Sequence, residues 1–270
     1  MRIYPIIVPL YYSHHLIDKF ISAVELESNK DLYKIIFIDN TWNYEKPDQY
    51  ITDLNNKINS EFQENPDRKG RMLLYSAGTN LYYSKAVNVG FQLFFTEYKC
   101  DWIEQFLIMN PDCFPAEKDW LTRLVSIWDE ISYTDNNICT LGTTQYYDDN
   151  MHEIWHAGCM WKESGERKVH ELDWKHLQTP IPFGLEGNNF AVRPVDGNTG
   201  TGIMIDRKAF RKLGMFDEIK YHHYSGDADF CLRASERGYT HYCCNVPMIH
   251  NPGNSCLKDN LTLVGKETIN

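Results

Sequence analysis

The chain has 270 residues, 43% of them hydrophobic, with 37 acidic against 27 basic side chains and a formal net charge of −10. That is enough apolar material for one large domain, or one domain with an appended lobe, and it excludes global disorder. A pI near 5.5 argues against nonspecific nucleic-acid binding but leaves open a phosphate-bearing ligand held through a divalent cation.

The first apolar run, 3–8 (IYPIIV), is β-branched and suits a buried strand. Pro5 and Pro9 interrupt it and no small-residue cleavage site follows, so it reads as core and not as a signal peptide. Residues 16–27 have helical periodicity. A second buried strand, 32–38 (LYKIIFI), stops at Asp39-Asn40-Thr41. A polar, helical segment is expected to about residue 60, a turn-rich loop over 65–70, a strand over 72–75 and a helix over 83–98. The strand 102–109 (WIEQFLIM) ends in Asn110-Pro111-Asp112, and a helix over 120–131 and a short strand over 137–141 follow. This alternation predicts an α/β fold of βαβ units around a mostly parallel sheet flanked by helices. In such sheets ligands bind outside the carboxyl ends of the strands, where Asp39, Asn110 and Asp112 fall.

From 145 to 195 the pattern loosens, and short antiparallel strands with loops are expected but no separate domain. A strand over 202–205, a helix over 207–213 stopped by Gly214, a helix over 227–237 closed by Gly238 and a strand over 239–246 complete the series. A polar tail follows Cys256. No run approaches the roughly 20 apolar residues of a membrane span. The eight cysteines include no CxxC pair, and Cys243 and Cys244 are adjacent. With no export signal they read as reduced core thiols of a cytoplasmic protein.

Residues 152–156 read HEIWH, the letters of the HExxH zinc-peptidase pattern. That pattern works because one helix face brings both imidazoles to one metal. Here Ile154 and Trp155 lie between the histidines, Asp148, Asp149 and Asn150 form a turn before them, and Gly158 follows. The segment is too short and too β-prone for that helix, and a third ligand at the familiar spacing is missing. A strand with exposed polar ends is expected, and zinc peptidase chemistry through His152 and His156 is rejected.

Three acidic stretches carry more. In IIFIDN, Asp39 is either a strand-ending Asx turn or a carboxylate for a nucleotide base or ribose. In LIMNPDCFP a strand delivers Asn110 and Asp112 to the same edge, and hard cations such as Mg²⁺ and Mn²⁺ favour a carboxylate or two plus substrate phosphates. In YSGDADFCLR, Asp227 and Asp229 open a helix. Capping needs only one carboxylate, and Gly226 lets the backbone come close to a ligand.

In order, IIFIDN, NLYYSKAVNVGF, FLIMNPDCFP, HAGCMW, GTGIMIDRKAFRKLGMFDE, YSGDADFCLRASERGY and IHNPGNS resemble the motifs of family 2 glycosyltransferases, in particular the rhamnosyltransferase-like group with a GT-A fold. The resemblance runs from about residue 3 to 255. It implies one GT-A domain over 1–256, with a nucleotide-binding half at 1–115, an acceptor-binding half at 116–256 and a tail at 257–270. It implies that Pro9, Tyr11, Asp39, Asn80, Lys85, Asn88 and Asn110 line the donor nucleotide. Asp112 would hold Mn²⁺ or Mg²⁺ on the diphosphate, with His250 nearby, and Asp227 would be the catalytic base, with Asp229 in reserve. Three positions depart from the family's pattern: Tyr82 replaces a Gly, Asn110 the first acid of the DxD-type motif, and Gly226 a Glu.

The implied reaction is metal-dependent transfer of a sugar from a nucleoside-diphosphate sugar to a hydroxyl of a glycan, glycolipid or other acceptor. Asp227 would take the hydroxyl proton while the metal neutralises the leaving diphosphate, giving inversion. Gly197, Gly200 and Gly202 precede a strand, not a helix, so they are no dinucleotide fingerprint; Gly200 and Gly202 either make a plain turn or leave room for sugar or acceptor. Trp155, Trp161 and Trp174 are either core or acceptor platforms. A nucleotidyltransferase would normally carry a Gly-rich basic loop after the first strand, absent from IVPLYYSHH, and a catalytically degenerate binding module is the non-enzyme alternative.

Overall fold

The computed structural model describes residues 2–11, 13–40, 49, 52–53, 55–56, 71–97, 103–147, 149–161, 174–179, 181 and 191–251. The loop expected over 65–70 and the tail after 256 lie outside them. Of the helix expected up to about 60, residues 49, 52, 53, 55 and 56 are described and helical.

In chain order the elements are β1 (Tyr4–Leu10), α1 (Ile17–Val24), β2 (Tyr33–Asp39), β3 (Met72–Ser76), α2 (Tyr82–Glu97), β4 (Gln105–Ile108), β5 (Cys113–Pro115), α3 (Trp120–Thr134) and β6 (Ile138–Tyr146). Then come β7 (Ile154–His156), β8 (Cys159–Trp161), β9 (Trp174–His176), β10 (Val192–Val195), β11 (Ile203–Asp206), α4 (Arg207–Lys212), α5 (Gly226–Ser235) and β12 (Thr240–His250).

Two-residue periodicity splits the core into two layers. From β1, Ile6 and Val8 join α1 and α3 on one face, while Ile7 joins α2, α4 and α5 on the other. The helices match these faces with apolar positions three and four apart. Ile17, Phe20, Ile21 and Val24 are buried on α1, and Trp120, Leu121, Leu124, Ile127, Trp128 and Ile131 on α3. On the second face Phe91, Phe106, Phe210, Phe216 and Phe230 pack ring against ring at centroid distances of 5.0–5.8 Å.

The main sheet runs β10-β12-β6-β11-β4-β1-β2-β3, with β5 added to β12 and β7 to β6. Strands β4, β1, β2 and β3 are parallel, β6 and β12 are parallel, and β11 is antiparallel to both of its neighbours, β4 and β6. The expected class, an α/β fold with a mostly parallel central sheet flanked by helices, is the one observed. Its consequence is geometric. The carboxyl ends of β1, β2, β4, β6 and β12 and the start of β11 share one edge. The division at residue 115 runs through this sheet, since β5 pairs with β12 and β11 lies against β4.

Two strands are longer than their sequence pattern. β6 continues to Tyr146 through buried Thr140, Thr143, Thr144 and Gln145, polar residues that hide its apolar period. β12 resumes its pairing with β6 at Pro247 after a register shift past Cys244 and so reaches His250. The six described cysteines are buried free thiols. No helix among the described residues is long and apolar enough to cross a membrane.

Candidate active site

Strand register brings the first pair of residues together. β4 ends at Ile108 beside Ile7, the chain turns through Asn110 to Asp112, and β5 then pairs Cys113 with His250 at the end of β12. The Asn251 N–H donates to the Asp112 carbonyl at 3.2 Å. As a result His250 Nε2 lies 3.7 Å from Asp112 Oδ1, both side chains being almost fully buried. The spacing is too long for a hydrogen bond. Burial, reinforced by His176, drives the His250 pKa down to about 3, so the imidazole is neutral although a carboxylate stands beside it. His250 Nδ1 is buried and makes no hydrogen bond.

A divalent cation fits this pair on its chemistry. A neutral imidazole and a carboxylate are both ligands for Mg²⁺ or Mn²⁺. Two ligand atoms each about 2.1 Å from Mg²⁺ lie at most about 4.2 Å apart, and the observed spacing falls inside that limit.

Asp227 reaches the same edge through the start of β11. It lies in the first turn of α5, after Ser225 in a left-handed conformation (φ 65°). Its Oδ2 accepts from the Gly200 N–H at 2.7 Å, and its Oδ1 from the Ala228 N–H at 2.9 Å. Burial pushes its pKa up, and these two backbone donors only partly counter it. Gly200 leads into Thr201, whose Oγ1 accepts from the Asn110 N–H at 2.7 Å. A continuous chain of contacts thus links Asp227, Gly200, Thr201, Asn110 and Asp112. The Tyr83 hydroxyl donates to the Gly200 carbonyl, and burial keeps that phenol protonated. Neither Thr201 nor Tyr83 was singled out from the sequence; only the buried site of each marks it, and burial depends on the fold.

The other expected residues divide. Pro9, in β1, is opposite Ile38, and Tyr11 follows the strand with its N–H on Ser13 Oγ. Asp39 ends β2 level with Leu10 and Ser76, on the expected edge, and is fully buried. Asn80 Oδ1 accepts from the Tyr82 N–H at 2.8 Å, turning the chain into α2, where Lys85 is exposed. Tyr82 holds φ 58°, a left-handed geometry natural to Gly, and its ring meets that of His222 at a tilt, 5.6 Å between centroids. Asn88 is committed to structure. Its Nδ2 donates to the Phe216 carbonyl and Glu218, and its Oδ1 accepts from the Phe216 N–H.

Asp229 is likewise engaged, in an ion pair with Arg233 at 2.7 Å; the same guanidinium donates to the Leu213 and Met215 carbonyls. The glycines leave no room for sugar. A Cβ on Gly200 would stand 2.5 Å from the Tyr83 hydroxyl, and one on Gly202 2.5 Å from Thr143 Oγ1, so the protein's own side chains fill both spaces. Trp155 is partly exposed and meets His250 edge-on at 4.3 Å, which puts it beside the candidate cation site. Trp161 is paired in register with Trp174 between β8 and β9. Of HEIWH, only Ile154–His156 form strand β7, His152 and Glu153 preceding it; His152 is exposed as expected, whereas His156 is completely buried because β7 packs inward on β6 and the β8–β9 pair.

No protein-family model matches the chain, and no curated protein matches it in sequence. Solved structures do. GalNAc-T7, crystallised with UDP, GalNAc and Mn²⁺, aligns with a TM-score of 0.64 at 13% identity over 92% of this chain. The mannosyltransferase PcManGT from Pyrobaculum calidifontis, in complex with GDP-Man and Mn²⁺, gives 0.57 at 13% over 93%. TarS of S. aureus (residues 1–349) gives 0.52 at 16% over 93%. The chain spans 44%, 56% and 58% of those proteins, about half their length. The fold defined by this sheet and these neighbours is the GT-A fold of glycosyltransferases.

Proposed function

We propose that the protein is a metal-dependent glycosyltransferase that uses a nucleoside-diphosphate sugar and a hydroxyl acceptor, of family 2 and its rhamnosyltransferase-like group. One observation carries the reading: a carboxylate–imidazole pair suited to a hard cation and a separate carboxylate of raised pKa share one sheet edge of a GT-A fold, joined through Gly200 and Thr201. Asp112 and His250 would hold Mn²⁺ or Mg²⁺, and a bound cation would supply charge neutralisation for a diphosphate leaving group.

Asp227 acts as general base. Its two backbone bonds aim the carboxylate, and its raised pKa brings it closer to the range where proton transfer from a hydroxyl is efficient. Because it is a carboxylate separate from the cation pair, direct attack on the anomeric carbon with inversion is the reaction we assign. Pro9, Tyr11, Asp39 and Asn110 define the donor side, and contact with Asp39 requires the residues covering it to part. Trp155 stands as a wall between cation and acceptor. Asp229, Asn88, Gly200 and Gly202 position the site and do not contact substrate.

Thermal-shift measurements with a panel of nucleotide sugars test this. One nucleotide class stabilises the wild type only when Mn²⁺ is present, by about 2.7 kcal/mol at a ligand concentration 100 times Kd. Asp112→Asn loses that metal-dependent gain. No stabilisation by any donor with Mn²⁺, or an equal gain without it, refutes the reading. The anomeric configuration of the product, read by NMR, tests inversion.

A further inference from the structure

The histidine that HEIWH buries has a use unrelated to peptidases. β8 and β9 pair with Cys159 opposite His176, and opposed residues of an antiparallel pair project from the same face. Between β7 and β8, Ala157 and Gly158 make a tight turn, with Gly158 at φ 97°, which folds His156 back toward that face. His156 Nδ1 lies 2.9 Å from His176 Nδ1, and Cys159 Sγ lies 3.8 Å and 3.7 Å from the two nitrogens. For Zn–N of about 2.0–2.1 Å and Zn–S of about 2.3 Å, tetrahedral angles set the nitrogens about 3.3 Å apart and each nitrogen about 3.6 Å from sulfur. The observed triangle differs from this by a few tenths of an ångström, within the reach of small ring rotations.

We propose that His156, Cys159 and His176 form a zinc site, separate from the cation site at Asp112 and His250. The donor set decides the metal. Two imidazoles and a thiolate suit Zn²⁺, whereas Mg²⁺ and Mn²⁺ prefer oxygen. His156 and Cys159 are completely buried, and His176 is partly exposed, giving the ion a way in and leaving its fourth position to solvent. Binding converts the Cys159 thiol to a thiolate and releases its proton to solvent.

With Nδ1 on the metal, His156 carries its proton on Nε2, and metal-bound imidazoles nearly always donate that proton to an acceptor; the Asn198 side chain, which hydrogen-bonds this ring, stands next to it.

The site explains how three strands of three residues each hold together, since they bury little apolar surface of their own. It also fixes Trp155, which packs on His176 at 4.8 Å and on His250 at 4.3 Å. Zinc at this site is thus a structural clip behind the wall of the candidate active site, and its existence does not depend on the glycosyltransferase reading.

The test is the metal content and spectroscopy of the purified full chain after equilibration with zinc and removal of excess. Zinc close to one per chain is expected. X-ray absorption at the zinc edge should show one sulfur at about 2.3 Å with nitrogen at about 2.0 Å, a readout that needs no variant. Cys159→Ser and His176→Ala should lower zinc affinity at least tenfold, whereas Asp112→Asn and His250→Ala keep it. Cobalt-loaded wild type should show a thiolate charge-transfer band that Cys159→Ser lacks. No bound zinc, zinc with only nitrogen and oxygen neighbours, or zinc lost in Asp112→Asn but retained in Cys159→Ser overturns the proposal.

Discussion

Asp112 and Asp227 face the same edge but are held by different kinds of structure. Asp112 is delivered mainly by the hydrogen-bond ladder: β4 aligned on β1, then β5 on β12, fix its place, with the Thr201 hydroxyl on the Asn110 N–H adding a side-chain contact at the turn. Asp227 is delivered by packing, since its carboxylate rests on the Gly200 N–H, and Gly200 is held by the Tyr83 hydroxyl. A ladder tolerates changes of side chain, whereas a packed contact does not. The Asp112 side should therefore yield only to changes of Asp112 and His250 themselves, and the Asp227 side to changes of a single methyl group.

The largest effect is expected at Asp227. Replacing it with Asn removes the base and leaves one acceptor oxygen where the Gly200 and Ala228 N–H groups now use two, so transfer should fall by roughly 10²–10⁴-fold with donor affinity unchanged. In the wild type, activity should rise with pH through an apparent pKa above the ordinary carboxylate range, because burial raises that of Asp227. The variant should lack that limb. Single-turnover rates across pH check both points, and wild-type rates in Asp227→Asn would remove it from the mechanism.

The same contrast explains what could be read before the fold was known. Donor-side strands announce themselves through unbroken apolar runs, and Asp39 and Asp112 follow because strand ends are where such sheets bind ligands. The reading failed where polar residues are buried. Thr140, Thr143 and Gln145 made β6 look short, and the tyrosine and glycines that frame Asp227 show no period. His176 lies 20 residues from its partner His156, and no spacing rule marks it. Two further positions become intelligible only in three dimensions. Tyr82 keeps a left-handed backbone without glycine, and Gly226 is glycine because Ser84 occupies the space a side chain would need.

Acid should separate the two regions. Strands β1 to β4 contain no histidine, whereas β7, β9 and β12 contain His156, His176, His241 and His250. His241 is the clearest case. Its Nε2 donates to the Cys231 carbonyl and its Nδ1 accepts from Thr140, an arrangement with no room for a second proton. Burial lowers its pKa to about 4. The unfolded chain, with an ordinary histidine pKa near 6.5, binds the extra proton more readily, so stability is complete above about pH 6.5 and falls as the pH drops toward 4. The loss from His241 alone is about 3 kcal/mol. Hydrogen exchange at pH 5 should show β12 and β6 losing protection while β1 and β2 keep theirs, and His241→Gln should flatten the pH dependence. Uniform loss of protection across the sheet would erase the distinction drawn here.

The smallest effect tests the packed contact itself. A Cβ at position 226 would lie 2.5 Å from Ser84 Oγ and 3.6 Å from Ser84 Cβ. Ser84 Oγ donates to the Tyr221 carbonyl, so it cannot turn aside without breaking that bond. Gly226→Ala should therefore cost about 2 kcal/mol, as overpacking typically does. In a Ser84→Ala background the offending oxygen is gone and 3.6 Å is an ordinary contact, so the same substitution should cost much less. A coupling of at least about 0.5 kcal/mol between the two substitutions, from denaturant melts of the four proteins, is the expected result. Additive costs would mean that Gly226 is held by something other than Ser84, and the start of α5 would then be set mainly by backbone geometry, as Asp112 is.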